Sequence, residues 1–414
     1  MNVPTPLHDM IKVILLIDCA SEFDRKLLRG IMKYSKENGP WLFYRIPSDF
    51  RGTNGREEWV MEWAKKWNAD AIIGRCDEDK VGLLGQLNIP IVLQNNRTRS
   101  DVYSNLTGDY VGTGRLAAEY FQKKLFTNYA FFGVRSIIWS EERCKGFREA
   151  VASKGNNFSS FNVEPRETFD RSKVLSWLED LPKPVALFCC DDAHALYITE
   201  TCNMAGLSVP KDIAVLGVDN DELLCGISDP PVSSVELDVE RGGYETCALL
   251  HRQIMNSTRQ PFNVVITPVE VVQRQSSCIY NIKDLNVAKI VAFIDSNYNT
   301  NLDINGILKL VPLSRRSAET KFRKETGTTI YQYILKCRVE HLAHLLLTSD
   351  RPVSEIADEV GFGDNGSFSR IFRKMKGCSP QSTDRKIALF ANKFTFFLRD
   401  NTIMPSIFAE DCLK

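Results

Sequence analysis

Polar side chains follow the strand-like runs of the first two thirds of the chain, at the point where each run ends. These residues are Asp18, Asp77, Gln94, Asp191, Asp192, Asp219 and Asn220. Carboxylate and amide groups suit sugar hydroxyls, because each can accept or donate in paired hydrogen bonds. In open α/β sheets, ligands bind outside the carboxyl ends of the strands. The pattern therefore predicts a polar cleft for a small hydroxylated ligand.

An aromatic ring near such a cleft would cover the apolar face of a sugar, and Trp139 is the candidate. The alternative role for any single aspartate is a helix N-cap, because its side chain accepts hydrogen bonds from the free N–H groups of a helix start. Both roles stay open for each aspartate, and the convergence of several strand ends favours the cleft.

Strands and helices alternate from residue 11 onward, and this alternation indicates how the polar residues are positioned. Apolar runs predict strands at 11–17, 71–74, 91–93, 129–133, 185–189 and 213–218. Helical periodicity lies between them, for example over 24–38, 113–124 and 140–153. Alternating βαβ units form doubly wound parallel sheets. Because about 270 residues exceed what one such sheet needs, we predict two α/β lobes.

A short phrase occurs twice in the last third of the chain. Phe322–Gly327 and Phe372–Gly377 both begin with Phe-Arg-Lys and end in Gly. Each copy lies in a helix that follows an apolar-periodic helix and a tight turn, and these second helices are predicted to begin at Ser314 and Asp364. Helix, short turn and basic helix form the helix-turn-helix pattern. Two copies predict a domain that contacts two stretches of DNA groove.

The charge distribution agrees with a nucleic-acid partner for this region only. The formal net charge of the whole chain is +0. Residues 284–386, however, carry 16 Lys and Arg against 12 Asp and Glu. A local basic stripe attracts phosphates whatever the global sum of charges is. Double-stranded DNA is therefore the expected partner of the last third.

Several other classes of protein find no support in the sequence. The 12 cysteines form no C-x-x-C pair and no metal-type spacing, so we interpret them as reduced thiols and predict no metal site. No phosphate-binding glycine motif occurs, so no cofactor is expected. The N-terminus lacks a signal-peptide pattern, and no apolar run reaches the roughly 20 residues of a membrane span. We expect a cytoplasmic protein without a membrane partner.

The second copy of the repeated unit resembles the signature of AraC-type transcription regulators. The matching string is Gly361-Phe362-x-Asp364-x-x-Ser367-Phe368-Ser369-Arg370-x-Phe372-Arg373-Lys374-x-x-Gly377-x-Ser379-Pro380. The resemblance implies that the two second helices enter successive major grooves on one face of the duplex, about 34 Å apart.

Residue roles at the DNA follow from this resemblance. The side chains implied to face base edges are Arg315, Arg316, Glu319, Thr320, Asn365, Ser367, Ser369 and Arg370. Those implied to contact phosphates are Arg323, Lys324, Arg373 and Lys374. For each basic residue, an ordinary solvated helix face remains the alternative.

The first two thirds of the chain resemble the periplasmic-binding-protein-like sensor domains of LacI-type regulators. The matching pieces are Arg143-x-x-Gly146-Phe147, Cys190-Asp191-Asp192-Ala193, Val209-Pro210-x-Asp212-Ile213-Ala214-Val215-x-Gly217-Val218-Asp219-Asn220 and Pro268-Val269-x-Val271-Val272-x-Arg274-x-Ser276. The resemblance implies that Arg143, Asp219 and the carboxylates after the strands contact the ligand.

A sensor domain followed by an AraC-type domain is the arrangement of the XylR-type, xylose-responsive activators, which the chain resembles over residues 11–380. The resemblance implies a two-lobed α/β periplasmic-binding-protein-like sensor domain over 1–278 and a linker over 279–286. An all-α DNA-binding domain with two helix-turn-helix motifs is implied over 287–385. Residues 386–414 are left as a tail of unknown role.

The same resemblance implies a function that is not enzymatic. It implies an activator of pentose catabolic genes with a pentose effector, a homodimer formed through the sensor domain, and contact with RNA polymerase. Arg75 and the run Gln94-Asn95-Asn96 depart from the XylR pattern, which leaves the identity of the sugar open.

Three alternatives remain at the level of the sequence. The first is a repressor that its ligand releases from DNA. The second is a DNA-alkyl-transfer enzyme fused to an AraC-type domain, which would need a reactive cysteine in a Pro-Cys-His setting that the chain lacks. The third is a sugar-binding component of a transporter, which the DNA-binding region opposes.

Overall fold

A computed structural model describes most of the chain, which forms two compact units. The described residues are 10–46, 56–76, 81–94, 97–152, 156–164, 170–300, 302–348, 351–362, 368–377 and 379–380. The units are Met1–Asn281 and Ile282–Lys414, so the division falls inside the predicted linker. Asp77, Asp364, Asn365, Ser367 and the tail 386–414 lie outside the described residues.

The first unit contains two α/β lobes, as the alternation of strands and helices predicted. The strands of the first lobe are β1 (Ile11–Leu16), β2 (Trp41–Arg45), β3 (Ala71–Gly74), β4 (Ile91–Leu93), β5 (Ser104–Gly108) and β11 (Asn263–Ile266). They form a parallel sheet in the order β11-β5-β4-β3-β1-β2. Its helices are α1 (Glu22–Glu37), α2 (Arg56–Trp67), α3 (Val81–Gly85) and α9 (Val239–Met255).

The second lobe has a similar layered design. Its strands are β6 (Asn128–Val134), β7 (Asn157–Val163), β8 (Val185–Cys189), β9 (Ile213–Val218), β10 (Ser233–Leu237) and β12 (Pro268–Val272). The sheet order is β12-β10-β9-β8-β6-β7, and β12 pairs antiparallel with β10 while the other strands pair in parallel. Its helices are α4 (Tyr110–Lys123), α5 (Ile138–Ala152), α6 (Arg171–Asp180), α7 (Asp192–Ala205) and α8 (Glu222–Ile227).

The chain passes from one lobe to the other after β5, after β10 and after β11. Strands β8 and β9 are buried along their whole length, which explains why they contain apolar residues without alternation. The polar residues of this unit can approach one another only beyond the strand ends. Two lobes joined by several connections can close and open as hinged bodies around that region.

The second unit is helical in its described part. Its helices are α10 (Leu285–Asn297), α11 (Ile304–Leu308), α12 (Arg315–Thr326), α13 (Ile330–Thr348), α14 (Val353–Glu359) and α15 (Phe368–Lys376). Helix α10 begins inside the predicted linker, because Asp284 accepts hydrogen bonds from the backbone N–H groups of Asn286 and Val287. The long helix α13 lies in sequence between the two helix-turn-helix motifs.

The predicted fold class is confirmed, and several boundaries of helices and strands differ by one to three residues. The strands predicted at 71–74, 91–93, 185–189 and 213–218 match to the residue. The helix predicted at 113–124 begins earlier, at Tyr110, because the Asp109 side chain caps it by accepting from the Gly112 N–H. Among the described residues, no helix is long and apolar enough to cross a membrane.

Candidate ligand cleft and DNA-binding surface

A pocket lies between the two lobes of the first unit. From the first lobe it is lined by Ser21, Glu22 and Arg25, which surround the N-terminus of α1; from the second lobe it is lined by Asp191, Asp219 and Asp221. Ser21 accepts a hydrogen bond from the Asp24 N–H and thereby fixes the start of α1 beside the cleft. The pocket therefore lies where the sequence predicted convergent polar strand ends.

Arg143 lies beside the pocket residue Asp219, and it is 3% exposed. Its guanidinium lies over two aromatic rings, 5.6 Å from the centroid of Tyr110 and 5.4 Å from that of Trp139. It donates a 2.5 Å hydrogen bond to the carbonyl oxygen of Cys190. The predicted residues Trp139 and Arg143 thus come together, and the two rings hold the cation in one orientation.

Asp219 faces Arg143 across the second-lobe side of the cleft. Its Oδ1 atom lies 3.7 Å from a guanidinium nitrogen of Arg143. Burial raises the pKa of Asp219 to about 6, although the nearby Arg143 lowers it. Its backbone has a positive φ of 99°, which is uncommon for a residue other than glycine. This carboxylate changes its charge close to neutral pH.

Asp191 caps α7 and is also oriented by a histidine. Its Oδ1 atom accepts from the His194 backbone N–H at 2.8 Å and contacts the His194 ring nitrogen Nδ1 at 2.6 Å. Burial alone would raise the pKa of Asp191, but His194 outweighs it and the pKa is lowered. The ligand atoms of Cys190, Asp191 and His194 lie within 4.8 Å of one another. Because Asp191 already binds His194 twice, we interpret the group as a support for the carboxylate.

Asp192 and Asn220 are engaged inside the second lobe. Asp192 is 2% exposed, and its two oxygens accept from the Asp221 N–H at 2.7 Å and from the Ser234 hydroxyl at 2.6 Å. The Asn220 amide donates to Glu236 at 2.6 Å and accepts from Arg274 at 2.7 Å. These contacts give both residues a role in fixing the loop after β9, and Asp192 also lines the pocket. The ligand contact expected of both residues stays a prediction.

The first-lobe face contains an ion pair that the sequence did not point out. Asp24 is 1% exposed, and its Oδ1 atom accepts from Arg75 at 2.9 Å. Burial raises the pKa of Asp24, and Arg75 offsets part of that rise. Asp18 is half-buried, and its charge also raises the pKa of Asp24, which places the two carboxylates near each other. Acidic residues are common in first turns of helices, so no sequence signal distinguishes Asp24.

Four buried polar atoms around the cleft have no hydrogen-bond partner among the described residues. They are Asp24 Oδ2, Gln94 Oε1, Arg143 Nε and Asp219 Oδ1. Buried polar groups are nearly always hydrogen-bonded, so such atoms indicate a missing partner. Three of them accept and one donates, and two belong to each lobe. A ligand with several hydroxyl groups can satisfy both kinds of atom from both sides.

Ion pairs also connect the two lobes directly. On one side, Lys26 Nζ lies 2.6 Å from Glu236 and donates to the backbone oxygen of Asp219 at 2.8 Å. Elsewhere, Arg99 makes two 2.7 Å hydrogen bonds to the Glu142 carboxylate. Bidentate arginine–carboxylate pairs fix geometry more strongly than single contacts do. These pairs hold the lobes at the spacing seen in the structure.

In the second unit, the repeated phrase forms the end of the second helix of each motif. Phe322 and Phe372 are 0% and 1% exposed. Gly327 and Gly377 adopt positive φ values of 72° and 74°, and each N–H donates at 2.9 Å to the carbonyl oxygen four residues earlier. The phrase therefore specifies a core anchor followed by a left-handed helix stop.

Most of the α12 and α15 side chains that were predicted to contact DNA are exposed. The exposed residues are Arg315, Arg316, Thr320, Arg323, Lys324, Arg370, Arg373 and Lys374. Ser314 caps α12 by accepting from the Ser317 N–H, as predicted. Within the described part of the chain, no carboxylate pairs with these arginines and lysines. They are free to contact phosphates or base edges.

Two predicted base-reading residues are less exposed. Glu319 is half-buried, and its carboxylate lies 3.5 Å from the Ile330 N–H at the start of α13. Ser369 is half-buried in α15. Glu319 therefore also serves the junction between α12 and α13, while Asn365 and Ser367 fall outside the described residues.

Comparison with known families agrees with this division of the chain. A periplasmic binding protein-like domain matches residues 118–277. A helix-turn-helix domain matches residues 308–386. The first match begins within α4 and covers most of the second lobe together with β11 and β12. The second begins at Leu308, the last residue of α11, and covers α12 to α15.

Individual relatives match nearly the whole chain. The Xylose operon regulatory protein of Escherichia coli (strain K12) is 24% identical over 385 residues, which are 89% of this chain and 96% of that protein. The protein of the same name from Haemophilus influenzae is 24% identical over 384 residues, which are 89% and 97% of the two chains. A solved structure of the xylose-binding transcription activator XylR is 22% identical, covers 90% of this chain and 97% of that chain, and has a TM-score of 0.56.

The chain is thus similar to xylose operon regulatory proteins along nearly their whole length and shares their two-part organisation. The periplasmic binding protein-like domain and the helix-turn-helix domain identify it as a transcription regulator with a ligand-binding domain and a DNA-binding domain.

Proposed function

We propose that this regulator binds a neutral monosaccharide between the lobes of its first unit and that the sugar controls DNA binding by its second unit. The four buried polar atoms without partners at the cleft carry this proposal. The Trp139 and Tyr110 rings beside Arg143 add an apolar wall for the sugar ring. Closure of the two lobes over the sugar stabilises one arrangement of the unit.

The proposed sugar is a pentose similar to xylose. The names of the two full-length relatives and of the solved structure support a xylose-type effector. Acidic and basic side chains occur together at the cleft, as in the Asp24–Arg75 and Asp219–Arg143 pairs. Such balanced pairs favour a neutral polyol over a strongly charged ligand.

A thermal-shift screen of pentoses and hexoses tests the effector. We expect a pentose to raise the unfolding temperature, because a ligand that binds only the folded state stabilises it. Sugar acids of the same length serve as controls for the predicted neutrality. A panel in which no sugar raises the unfolding temperature would contradict the proposed effector class.

We further propose that the regulator is an activator that works as a homodimer through the first unit. Two DNA-binding domains in a dimer give a larger contact area with DNA than one domain does. Activation implies contact with RNA polymerase, and the regulatory relatives support a function without catalysis. Sedimentation of the full chain and a reporter gene under a bound promoter test these points. A strict monomer at micromolar concentration, or a reporter that rises on gene deletion, would contradict them.

A further inference from the structure

One helix of the second lobe, α4, begins at the ligand cleft. Its first residue is Tyr110, whose ring centroid lies 5.7 Å from the Arg99 guanidinium and 5.6 Å from that of Arg143. Arg99 pairs with Glu142 across the lobes, and Arg143 faces the proposed sugar. The start of α4 therefore contacts both the ligand-facing arginine and an ion pair that sets the lobe spacing.

Helix α4 is packed directly on the backbone that carries Arg143. A methyl group added to Gly114 in α4 would lie 2.1 Å from the carbonyl oxygen of Arg143. A methyl group added to Gly146 in α5 would lie 2.0 Å from the carbonyl oxygen of Val111. The two helix backbones therefore touch, and a shift of Arg143 with its helix must be followed by α4.

The other end of α4 is tied to the segment by which the chain leaves the first unit. Lys124 follows the helix and is only 3% exposed, although lysine is rarely buried. Its ammonium lies over two rings, 5.1 Å from the centroid of Tyr120 and 4.5 Å from that of Tyr280. The Asn281 backbone N–H donates to the carbonyl oxygen of Lys124 at 2.9 Å.

Hydrogen bonds from the same end of α4 hold the residues just before this segment. The Tyr120 hydroxyl contacts the Ser277 hydroxyl at 2.7 Å, and Ser277 contacts Ser233 in β10 at 2.7 Å. The Asn281 side chain donates to the carbonyl oxygen of Leu125 at 3.2 Å. Asn281 is the last residue of the first unit, so its hydrogen bonds to the carbonyl oxygens of Lys124 and Leu125 act at the connection to the DNA-binding unit.

We propose that Lys124 is a positioning residue that couples sugar binding to DNA binding. This inference rests on the proposed function. Sugar binding moves Arg143 and the Arg99–Glu142 pair, α4 follows because its backbone touches that of α5, and the buried Lys124 carries the movement to Tyr280 and Asn281. Without the cation between the two rings, the exit segment keeps only the Asn281 hydrogen bonds to the end of α4 and follows the helix less closely.

The test compares Lys124→Met with Lys123→Met in the full chain. Methionine keeps the length and the apolar stem of the side chain but removes the charge, and Lys123 is the exposed lysine one residue earlier. Calorimetry with D-xylose gives the sugar affinity. Titration of a DNA duplex, selected with the wild-type protein from a random-sequence pool, gives the DNA affinity with and without D-xylose. The ratio of these two DNA affinities measures the coupling.

We expect Lys124→Met to bind D-xylose like the wild type while its coupling ratio falls towards one, and we expect Lys123→Met to keep the wild-type ratio. Tyr280→Leu removes the same contact from the other side and keeps Lys124. It therefore replaces Lys124→Met as the test if Lys124→Met does not fold. A wild-type coupling ratio in both Lys124→Met and Tyr280→Leu would overturn this inference and leave the proposed function intact. A wild-type protein that binds no sugar, or shows no coupling, would contradict the proposed function and this inference together.

Discussion

In the cleft of the first unit, charged side chains are buried and held by partners, whereas on the second helices of the helix-turn-helix motifs they are exposed. Arg143 is 3% exposed between two aromatic rings, while Arg315 and Arg373 lie on open helix faces. A sugar offers weak and directional hydrogen bonds, so the protein must preorganise its groups before the ligand arrives. DNA offers a dense row of phosphates, so mobile cations suffice for contact.

Charged side chains also differ in how they are held within the cleft itself. Asp191 and Asp192 are adjacent and both line the pocket, yet Asp191 is held by His194 while both oxygens of Asp192 bind groups inside the lobe. Position after a strand therefore brings a carboxylate to the cleft region without deciding its role. Substitutions in the cleft should separate ligand contact from internal support, and substitutions on α15 should separate base contact from phosphate contact.

Removal of Arg143, the arginine proposed to face the sugar, has the largest expected effect. We expect Arg143→Ala to weaken sugar binding by about 2 kcal/mol, or roughly 30-fold, because hydroxyl groups and Asp219 lose a buried partner. Arg148→Ala is the matched control, since Arg148 lies on the exposed side of the same helix α5. Calorimetry on both variants measures the change. Equal affinity in both would show that the sugar does not use this arginine.

A change at the internal carboxylate should act on stability more than on affinity. Asp192→Ala leaves the Asp221 N–H and the Ser234 hydroxyl without their acceptor, which costs about 1–3 kcal/mol of unfolding free energy. Chemical denaturation measures this loss, and calorimetry below the transition measures the sugar affinity. A stable Asp192→Ala protein that has lost sugar binding would place Asp192 among the direct contacts after all.

On the DNA-binding surface, single substitutions should separate base contacts from phosphate contacts. We expect Arg370→Ala to relax preference at one base pair by about 1–2 kcal/mol, and Arg373→Ala to weaken all sequences alike and reduce the salt slope by about one. Gel-shift titrations at several salt concentrations, on wild-type and base-substituted sites, separate the two effects. If both variants behave alike, the assigned roles of the two arginines are wrong.

The smallest expected effect is a pH dependence of sugar affinity. The pKa of Asp219 is about 6, raised mainly by burial, with Asp191 and Asp24 raising it and Arg143 and Lys26 lowering it. The ionised carboxylate accepts hydroxyl hydrogen bonds more strongly than the acid does, so we expect affinity to fall about threefold as the pH drops from 7 to 5.

The raised pKa of Asp219 gives the opposite pH trend for the stability of the sugar-free protein, which we expect to fall as the pH rises. A raised pKa means that the folded state binds the proton more tightly than the unfolded state, so the stability contributed by protonated Asp219 is lost as the pH rises from about 4 to about 6. Asp219→Asn should remove both trends. A pH profile of the Asn variant that matches the wild type would assign the titration to another group.

The fold could be predicted from the sequence because its signals are local. Strands such as β8 and β9 are continuous apolar runs, and the boundaries of α12 follow from the capping groups Ser314 and Gly327. Hydrophobic periodicity and capping depend on neighbours a few positions apart, so they are readable without the tertiary structure. Asp191 and Asp219 were expected at the cleft because they follow apolar strands, whereas Arg143 was expected there from the resemblance to LacI-type sensor domains.

What the sequence by itself determined is the two-part organisation, the strand-end carboxylates and the paired basic helices. Only the tertiary structure decided how each carboxylate at the cleft is held, which buried atoms are left without hydrogen-bond partners among the described residues, and how the lobes are bridged. Arg25 and Asp221 illustrate this, since they are 196 positions apart and yet lie 3.2 Å from each other. Such pairs depend on strand order and lobe packing, and no local pattern of residues encodes them.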